Sequence, residues 1–277
     1  MVNLVSITTV VDGQAGAVSR AAGALVALGS GEAIARGGLG VVRIAEIVGG
    51  DKGQISRLLK TLAEKGLVER DRDTLGYRLG WQFYALAARA GDQRLLEAAR
   101  PLMVRLVEDL GERVNLSVLR GAEVLTVFSE SPSQAIQAAG WVGRTVPAYC
   151  TSSGRALLFD TRREVLAALF ADTEFRQPAP NAPHSVDELY ERVQSSRVRG
   201  FAVADEEFEP GLVGAAAPVR DSRDRVCAAI NLSAPKFRLG GRARLSALGR
   251  AMKTAADELS VSLGKVDRVD ERDTEGS

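Results

Sequence analysis

Apolar positions recur at helical spacing in the first third of the chain, at strand spacing through its middle, and at helical spacing again near its end. The first clear helix is predicted over Val18–Leu28, with Ala21, Ala22, Leu25 and Leu28 on one side. The glycine-rich run GSGEAIARGGLG then reads as a connection. Within Val42–Leu79, Ile44, Ile47 and Val48 mark one face of a short helix, and Gly49-Gly50 supply a turn that needs a permissive backbone. Asp51 is placed to cap the next helix, with Gln54 completing a capping-box pattern. In that helix Ile55, Leu58, Leu59 and Leu62 form the buried face, and Gly66 stands where a helix ends on glycine. Alternating runs over Leu67–Arg70 and Tyr77–Leu79 enclose the polar tip Asp71–Gly76, a hairpin. Helix, turn, capped helix and hairpin in this order make a winged helix-turn-helix.

Downstream, Trp81, Phe83, Tyr84 and Leu86 crowd one helix, which packs either on the first domain's own core or on the same helix of a second copy. A longer helix over Leu95–Leu110 buries Leu96, Ala99, Met103, Leu106 and Leu110. Strands are expected in NLSVLRG and AEVLTVFSE, around the hairpin pair Gly121-Ala122, with QAIQAAG as a third. A helix opens at Thr151-Ser152-Ser153, and two more, 162–170 and 186–198, flank the proline-rich QPAPNAP. Strand signals return in GFAVADEE, VGAAAPVRD and RVCAAINLSAP, before a final helix over Leu245–Leu263. Residues 1–16 hold no lasting period. The fold class expected is α+β: a winged helix-turn-helix over 1–80, a linker helix over 81–92, an antiparallel-sheet domain over 93–264, and a charged tail over 265–277.

Composition changes this picture little. An apolar fraction of 45% builds two ordinary cores. No apolar run approaches the ~20 residues that span a bilayer, and the opening stretch lacks a basic leader region, so no membrane partner is expected. Two distant cysteines, Cys150 and Cys227, argue for no disulfide scaffold, and a reduced cytoplasmic protein is the simplest reading. Charge matters once divided: residues 1–90 hold 11 Lys and Arg against 8 Asp and Glu, a net +3, and residues 91–277 hold 25 against 27, a net −2. The basic part holds the helix-turn-helix.

The outward face of the capped helix carries Ser56, Arg57 and Lys60, with Lys52 and Gln54 near its start and Arg72 at the hairpin tip. Amide and hydroxyl groups suit base edges and cations suit phosphates, so these six are the candidate contacts to double-stranded DNA. The competing class, a winged module used only for protein contacts and oligomerisation, fits this polar face less well. Catalysis would have to draw on Ser152 or Cys150 with His184, the one histidine, and no nucleophile elbow surrounds them. No spacing suits a metal, no glycine pattern suits a cofactor, and the ADEE run reads as a solvated acidic edge.

With these segments in view, the chain resembles the IclR family of bacterial transcription regulators over nearly its whole length. The resemblance rests on DKGQISRLLKTLAEKGLVERD and YRLG in the first domain, and on GRTVPAYCTSSGRALL, RGFAVADEEFEPGLVGAAAPVRD and AAINLSAP in the second. It implies an N-terminal winged helix-turn-helix, a linker helix, a GAF-like effector domain, homodimers with homotetramers as the further assembly, and small organic acids as effectors. Carried onto this chain, it puts the effector at Ser152, Ser153, Leu212, Gly214, Asn231 and Ser233. Trp141, just upstream, is either an aromatic wall of that site or, the stronger reading, a core tryptophan. Free N–H groups where the helix starts and nearby hydroxyls suit an acid or a related carbonyl compound; taken without the resemblance, the residues favour Ser152 and Ser153 as helix caps and Asn231 as part of a strand ladder. Three departures from the family pattern, Gly214 for cysteine, Ala204-Asp205 for an acidic pair and Tyr149 for histidine, point to a roomier pocket that favours an aromatic acid.

Overall fold

In a computed structural model the chain divides into two units, Met1–Gln93 and Arg94–Ser277. The structure describes residues 16–87, 93–132, 141–239 and 241–264. The third strand expected over 134–140, the readings of 1–15 and of the tail 265–277, and positions 88–92 of the linker helix lie outside the described residues.

The first unit runs α1 (Ala17–Leu28), α2 (Gly31–Ala35), α3 (Val41–Val48), α4 (Lys52–Glu64), β1 (Val68–Arg70), β2 (Tyr77–Leu79) and α5 (Trp81–Ala87). Its core is Ala24, Ala27, Leu28, Leu39, Ile44, Val48, Ile55, Leu59, Val68 and Tyr77. Each large apolar side chain among these contributes about 1.5–3 kcal/mol on burial. The inner face of α1 is rotated from the expected one. Ala24, Ala27 and Leu28 are buried, whereas Ala22 is exposed. The cause is close packing: a Cβ on Gly23 would lie 3.1 Å from Val48 Cγ1, so α3 approaches along the small residues of α1. In α3, Ile44 and Val48 carry the burial and Ile47 is 38% exposed.

The glycine-rich connection contains a helix that its composition concealed. Ser30 caps α2 by accepting from the Ala33 N–H, and Ala33 is buried as its anchor. Glu32 in its first turn pairs with Arg43 at 3.0 Å, tying α2 to α3.

The second unit runs α6 (Gln93–Leu110), β3 (Val114–Arg120), β4 (Glu123–Glu130), β5 (Thr145–Pro147), α7 (Ser152–Leu157), α8 (Arg163–Leu169), α9 (Val186–Arg199), β6 (Ala202–Asp205), β7 (Leu212–Arg220), β8 (Val226–Pro235), α10 (Lys236–Leu239) and α11 (Arg242–Ser262). The strands form one antiparallel sheet in the order β5-β4-β3-β8-β7-β6. The three-residue β5, ending on a proline, is too short to leave an alternation in the sequence, and Pro147 suits its edge position.

Alternation along the strands divides the unit into layers. Val213, Ala215, Ala217, Ile230, Leu232, Val114 and Leu116 face α6 and α11. Ala216, Ala229, Ala202 and Val124 face the other way, toward α7, α8 and α9. On α6 the buried positions are Leu95, Ala99, Leu102, Met103 and Val107, with Leu96, Leu106 and Leu110 half-buried beside them. Gly154 seats α7 on the chain below, since a Cβ there would lie 2.0 Å from the Ala148 carbonyl oxygen. Gly154→Ala is therefore expected to destabilise this unit by about 1–3 kcal/mol or more. A urea midpoint equal to wild type at unchanged slope would show that α7 is not held there.

Candidate nucleic-acid interface and ligand site

Local rules set the geometry of α4 at both ends. The Gln54 N–H donates to Asp51 Oδ1 at 2.9 Å, capping the start. At the other end Gly66 takes φ +69°, and its N–H and that of Leu67 donate back to Ala63 and Leu62 at 2.9 Å each, a Schellman ending. Ile55 and Leu59 face the core, so Lys52, Gln54, Ser56, Arg57 and Lys60 are left exposed.

The hairpin is a wing pinned at base and tip. Val68 pairs with Leu79 and Arg70 with Tyr77, while Leu39 adds a bridge to Tyr77 on the other side. At the tip Asp71 Oδ1 accepts from the Asp73 and Thr74 N–H groups and the Thr74 hydroxyl, at 3.0, 2.8 and 2.9 Å. These donors hold the Asp71 carboxyl below the usual carboxylate range. Arg72 projects from this ordered turn into solvent.

Cations of the first unit fall into two groups. Arg36 and Arg43 pair with Glu32, Arg43 also with Glu46, and Arg78 with Glu69. Among the described residues, Lys52, Arg57, Lys60 and Arg72 have no such carboxylate. Lys65 at the end of α4 lacks one as well, as does Arg70, whose Nε meets the Leu75 carbonyl and whose guanidinium lies over the Tyr77 ring, so charge without a carboxylate partner lies along α4 and the wing.

In the second unit, cross-strand register brings together residues far apart in sequence. Gly214 on β7 pairs with Ser233 on β8 and with Ala204 on β6. The Ser152 hydroxyl stands 2.9 Å from where a Gly214 Cβ would lie, and Ser233 Oγ stands 3.5 Å from it. Ser152 and Ser153 are buried, and Leu212 is half-buried at the open end of the same face. Asn231 lies one row further in, its Oδ1 accepting from Ser117 Oγ at 3.1 Å. Of the seven sequence-derived ligand residues, Ser152, Gly214 and Ser233 thus stand together, with Asn231 and Leu212 two positions along the same strands and Ser153 next to Ser152 on α7.

The sequence reading missed the floor of this corner. Asn115 pairs with Asn231 across β3 and β8, and the Ser129 hydroxyl donates to Asn115 Oδ1 at 2.8 Å. Asn115 and Ser117 are buried. Their alternation with Val114, Leu116 and Val118 has the signature of a solvated strand face, and only the α7 layer reverses that meaning. The row is a set of satisfied polar groups awaiting no core partner.

Four expectations need correction. Trp141 does not join the corner: it lies under the Arg144 guanidinium, 5.7 Å from its ring centroid, before the edge strand β5. Gly214 frees no room, because the Ser152 hydroxyl fills the space a side chain would take. Tyr149 widens nothing either; it is buried against Phe175, and its hydroxyl donates to the Arg176 carbonyl at 2.9 Å. The ADEE run is no solvated edge: Glu207 is buried and pairs with Arg155 at 2.9 Å and Arg192 at 3.0 Å, while Asp205 and Glu206 hold Lys236. The helix start at α7 is also partly answered already, since Thr151 Oγ1 accepts from the Gly154 N–H at 3.1 Å.

Burial pushes the Cys150 thiol up to about 12. His184 lies exposed before α9, its Nε2 2.8 Å from Gln177.

Two family models match the chain, the IclR helix-turn-helix domain over residues 17–72 and the bacterial transcriptional regulator IclR C-terminal domain over residues 88–261. The chain belongs to the IclR family. It is similar to the HTH-type transcriptional regulator BhcR of Paracoccus denitrificans, 33% identical over 82% of this chain and 81% of that one. It is also similar to the HTH-type transcriptional repressor AllR of Escherichia coli K12, 28% identical over 75% of this chain and 77% of that one. Among solved structures, an IclR regulator of Alicyclobacillus acidocaldarius superposes with a TM-score of 0.73 at 24% identity, covering 91% of this chain and all of that one. An IclR homolog of Microbacterium hydrocarbonoxydans complexed with 4-hydroxybenzoate superposes with a TM-score of 0.73 at 21% identity, covering 90% and 99%. At such identities these show the fold.

As an IclR-family member the chain is a DNA-binding transcription regulator with a C-terminal effector-binding domain, and not an enzyme. No described helix is long and apolar enough to cross a membrane. What fixes the corner of α7, β7 and β8 is the pair Arg155–Glu207, with side chains 4% and 7% exposed. Burial pushes the Arg155 pKa down, against the pull of Glu207. Removing one partner strands a buried charge, so Glu207→Leu is expected to cost about 3–5 kcal/mol. The double variant Arg155→Met with Glu207→Leu should recover most of that loss in urea unfolding. Equal destabilisation by the single and double variants would reject the coupling.

Proposed function

We propose that this IclR regulator reads its operator with the exposed face of α4. In this reading Lys52, Gln54 and Ser56 approach base edges from the start of the helix, Arg57 and Lys60 hold base edges or phosphates, and Arg72 follows the backbone from the wing. The observation that carries it is the exposed face of α4 with the wing tip, where Lys52, Arg57, Lys60 and Arg72 have no carboxylate partner among the described residues, while Arg36, Arg43 and Arg78 are paired. Residues 1–80 act as the reading domain, 81–92 as the linker, and 93–264 as the effector domain, in the cytoplasm. The effector is a small organic acid held at Ser152, Ser153, Leu212, Gly214, Asn231 and Ser233. It shifts operator binding by preferring one of two arrangements of the protein.

Arg57→Ala or Lys60→Ala should weaken operator binding by about 1–3 kcal/mol where the contact is to a base, and lower the salt slope where it is to a phosphate. Gel-shift titrations at two salt concentrations separate these. Wild-type affinity and slope in both variants, with the fold intact, would remove α4 from the role of reader.

A single reading domain with few unmatched cations binds weakly, and a homodimer answers this. Trp81 is 77% exposed, with Leu79 and Leu86 exposed beside it in sequence, an apolar surface that a second copy would cover. Trp81→Ala should shift light scattering at micromolar concentration from dimer or tetramer toward monomer and weaken binding to a two-half-site operator. An unchanged assembly in Trp81→Ala would place the contact elsewhere; a wild-type monomer with tight operator binding would end the dimer reading.

A further inference from the structure

Arg113 stands immediately before β3, one residue outside the pairs Val114↔Glu130 and Val114↔Leu232. Its Nε donates to Ser131 Oγ at 2.7 Å. By alternation it lies on the face of Asn115 and Ser117, opposite Val114 and Leu116. Continued one residue beyond its last pair, Val114↔Leu232, the register sets Arg113 opposite Ser233 of β8, and Ser233 pairs with Gly214 of β7, beneath the Ser152 hydroxyl. Ser131, Arg113 and Ser233 are half-buried, and so within reach of solvent, while Asn115 and Asn231 in the row behind are buried. The neighbouring carboxylate of Glu112 is held by Arg238 at 2.6 Å. Among the described residues no carboxylate pairs with Arg113. A half-buried guanidinium with its terminal nitrogens uncommitted, at the end of a polar row, is built to take an anion.

We propose that Arg113 binds the carboxylate of the effector, and that the effector is a two-ended acid whose second polar group, a hydroxyl or another carboxylate, sits at the Ser152 hydroxyl over Gly214 of β7, on the far side of Ser233. The inference rests on that corner being the effector site. From β3 to β7 is two strand spacings, about 9.5 Å, which calls for a skeleton of roughly six to eight heavy atoms between the two polar ends and their partners. Acids of two or three carbons do not bridge it. Length along the row, and not the width at Gly214, is what selects the ligand.

The test is calorimetric titration of the full chain with 4-hydroxybenzoate, adipate, pyruvate and glyoxylate, on wild type, Arg113→Ala, Arg113→Lys and Ser233→Leu. Urea midpoints report whether each variant keeps its fold. The expected result is that a two-ended acid binds wild type more tightly than either short acid. Arg113→Ala should weaken it roughly tenfold or more, and Arg113→Lys should restore part of the loss. Equal binding by wild type and Arg113→Ala overturns the role of Arg113, and loss of binding in Ser233→Leu then shows that the corner itself stands. Loss in Arg113→Ala with none in Ser233→Leu overturns the two-point contact and, with it, the reading of the corner. Failure of both two-ended acids to bind, or tighter binding of pyruvate or glyoxylate, overturns the ligand class.

Discussion

A guanidinium and a carboxylate buried together set the terms for the effector domain. Each would lose several kcal/mol of hydration if buried alone, and only close mutual geometry offsets the loss. Arg155 reaches from α7 to Glu207 in the connection after β6, and Arg192 meets the same carboxylate from α9. Three segments are thereby held in one arrangement. Such a pair adds little net stability over an apolar core, but it tolerates few alternative placements. Ser152 lies three residues ahead of Arg155 on the same short helix, so the polar corner over β7 inherits its position from this pair. The absence of a side chain at Gly214 and the close seat at Gly154 let α7 come near enough for the contact to form.

The reading domain solves a different electrostatic problem. A small basic unit must remain folded while keeping charge available for a polyanion. Here carboxylates are set where cations brace the scaffold, as in Glu32 with Arg43 between α2 and α3 and Glu69 with Arg78 across the wing. Exposed pairs of this kind contribute little energy individually. Their effect is on distribution, since they neutralise part of the charge on the flanks while α4 and Arg72 keep theirs.

Much of this was legible in the residues. The Asp51 cap, the Gly66 ending and the hairpin pair Gly121-Ala122 are local chemistry, written within a few positions of the features they specify. The helix at Gly31–Ala35 escaped because glycine-rich composition outweighed one capping serine. The faces of α1 and α3 were misjudged because which side is buried depends on neighbours that approach along small residues. In the effector domain Ser152, Gly214, Asn231 and Ser233 were within reach through resemblance, and register does bring them together. Arg113, Asn115, Ser117 and Ser129 were not: a polar position on an alternating strand looks the same whether water or a helix covers it. Glu207 failed for the mirror-image reason, since an acidic run gives no hint that one member is buried against arginine.

Strands β7 and β8 carry two messages on one backbone. Alternate positions Gly214, Ala216, Asn231 and Ser233 face the α7 side, and the intervening Val213, Ala215, Leu232 and Ala234 pack on α6 and α11. The period of two keeps the sets apart, so an exchange in one leaves the packing of the other in place. A lineage can therefore change the polar side of these strands, one residue at a time, without passing through unfolded ancestors. Variation on one side of the sheet is tolerated because its other side goes on holding the domain together.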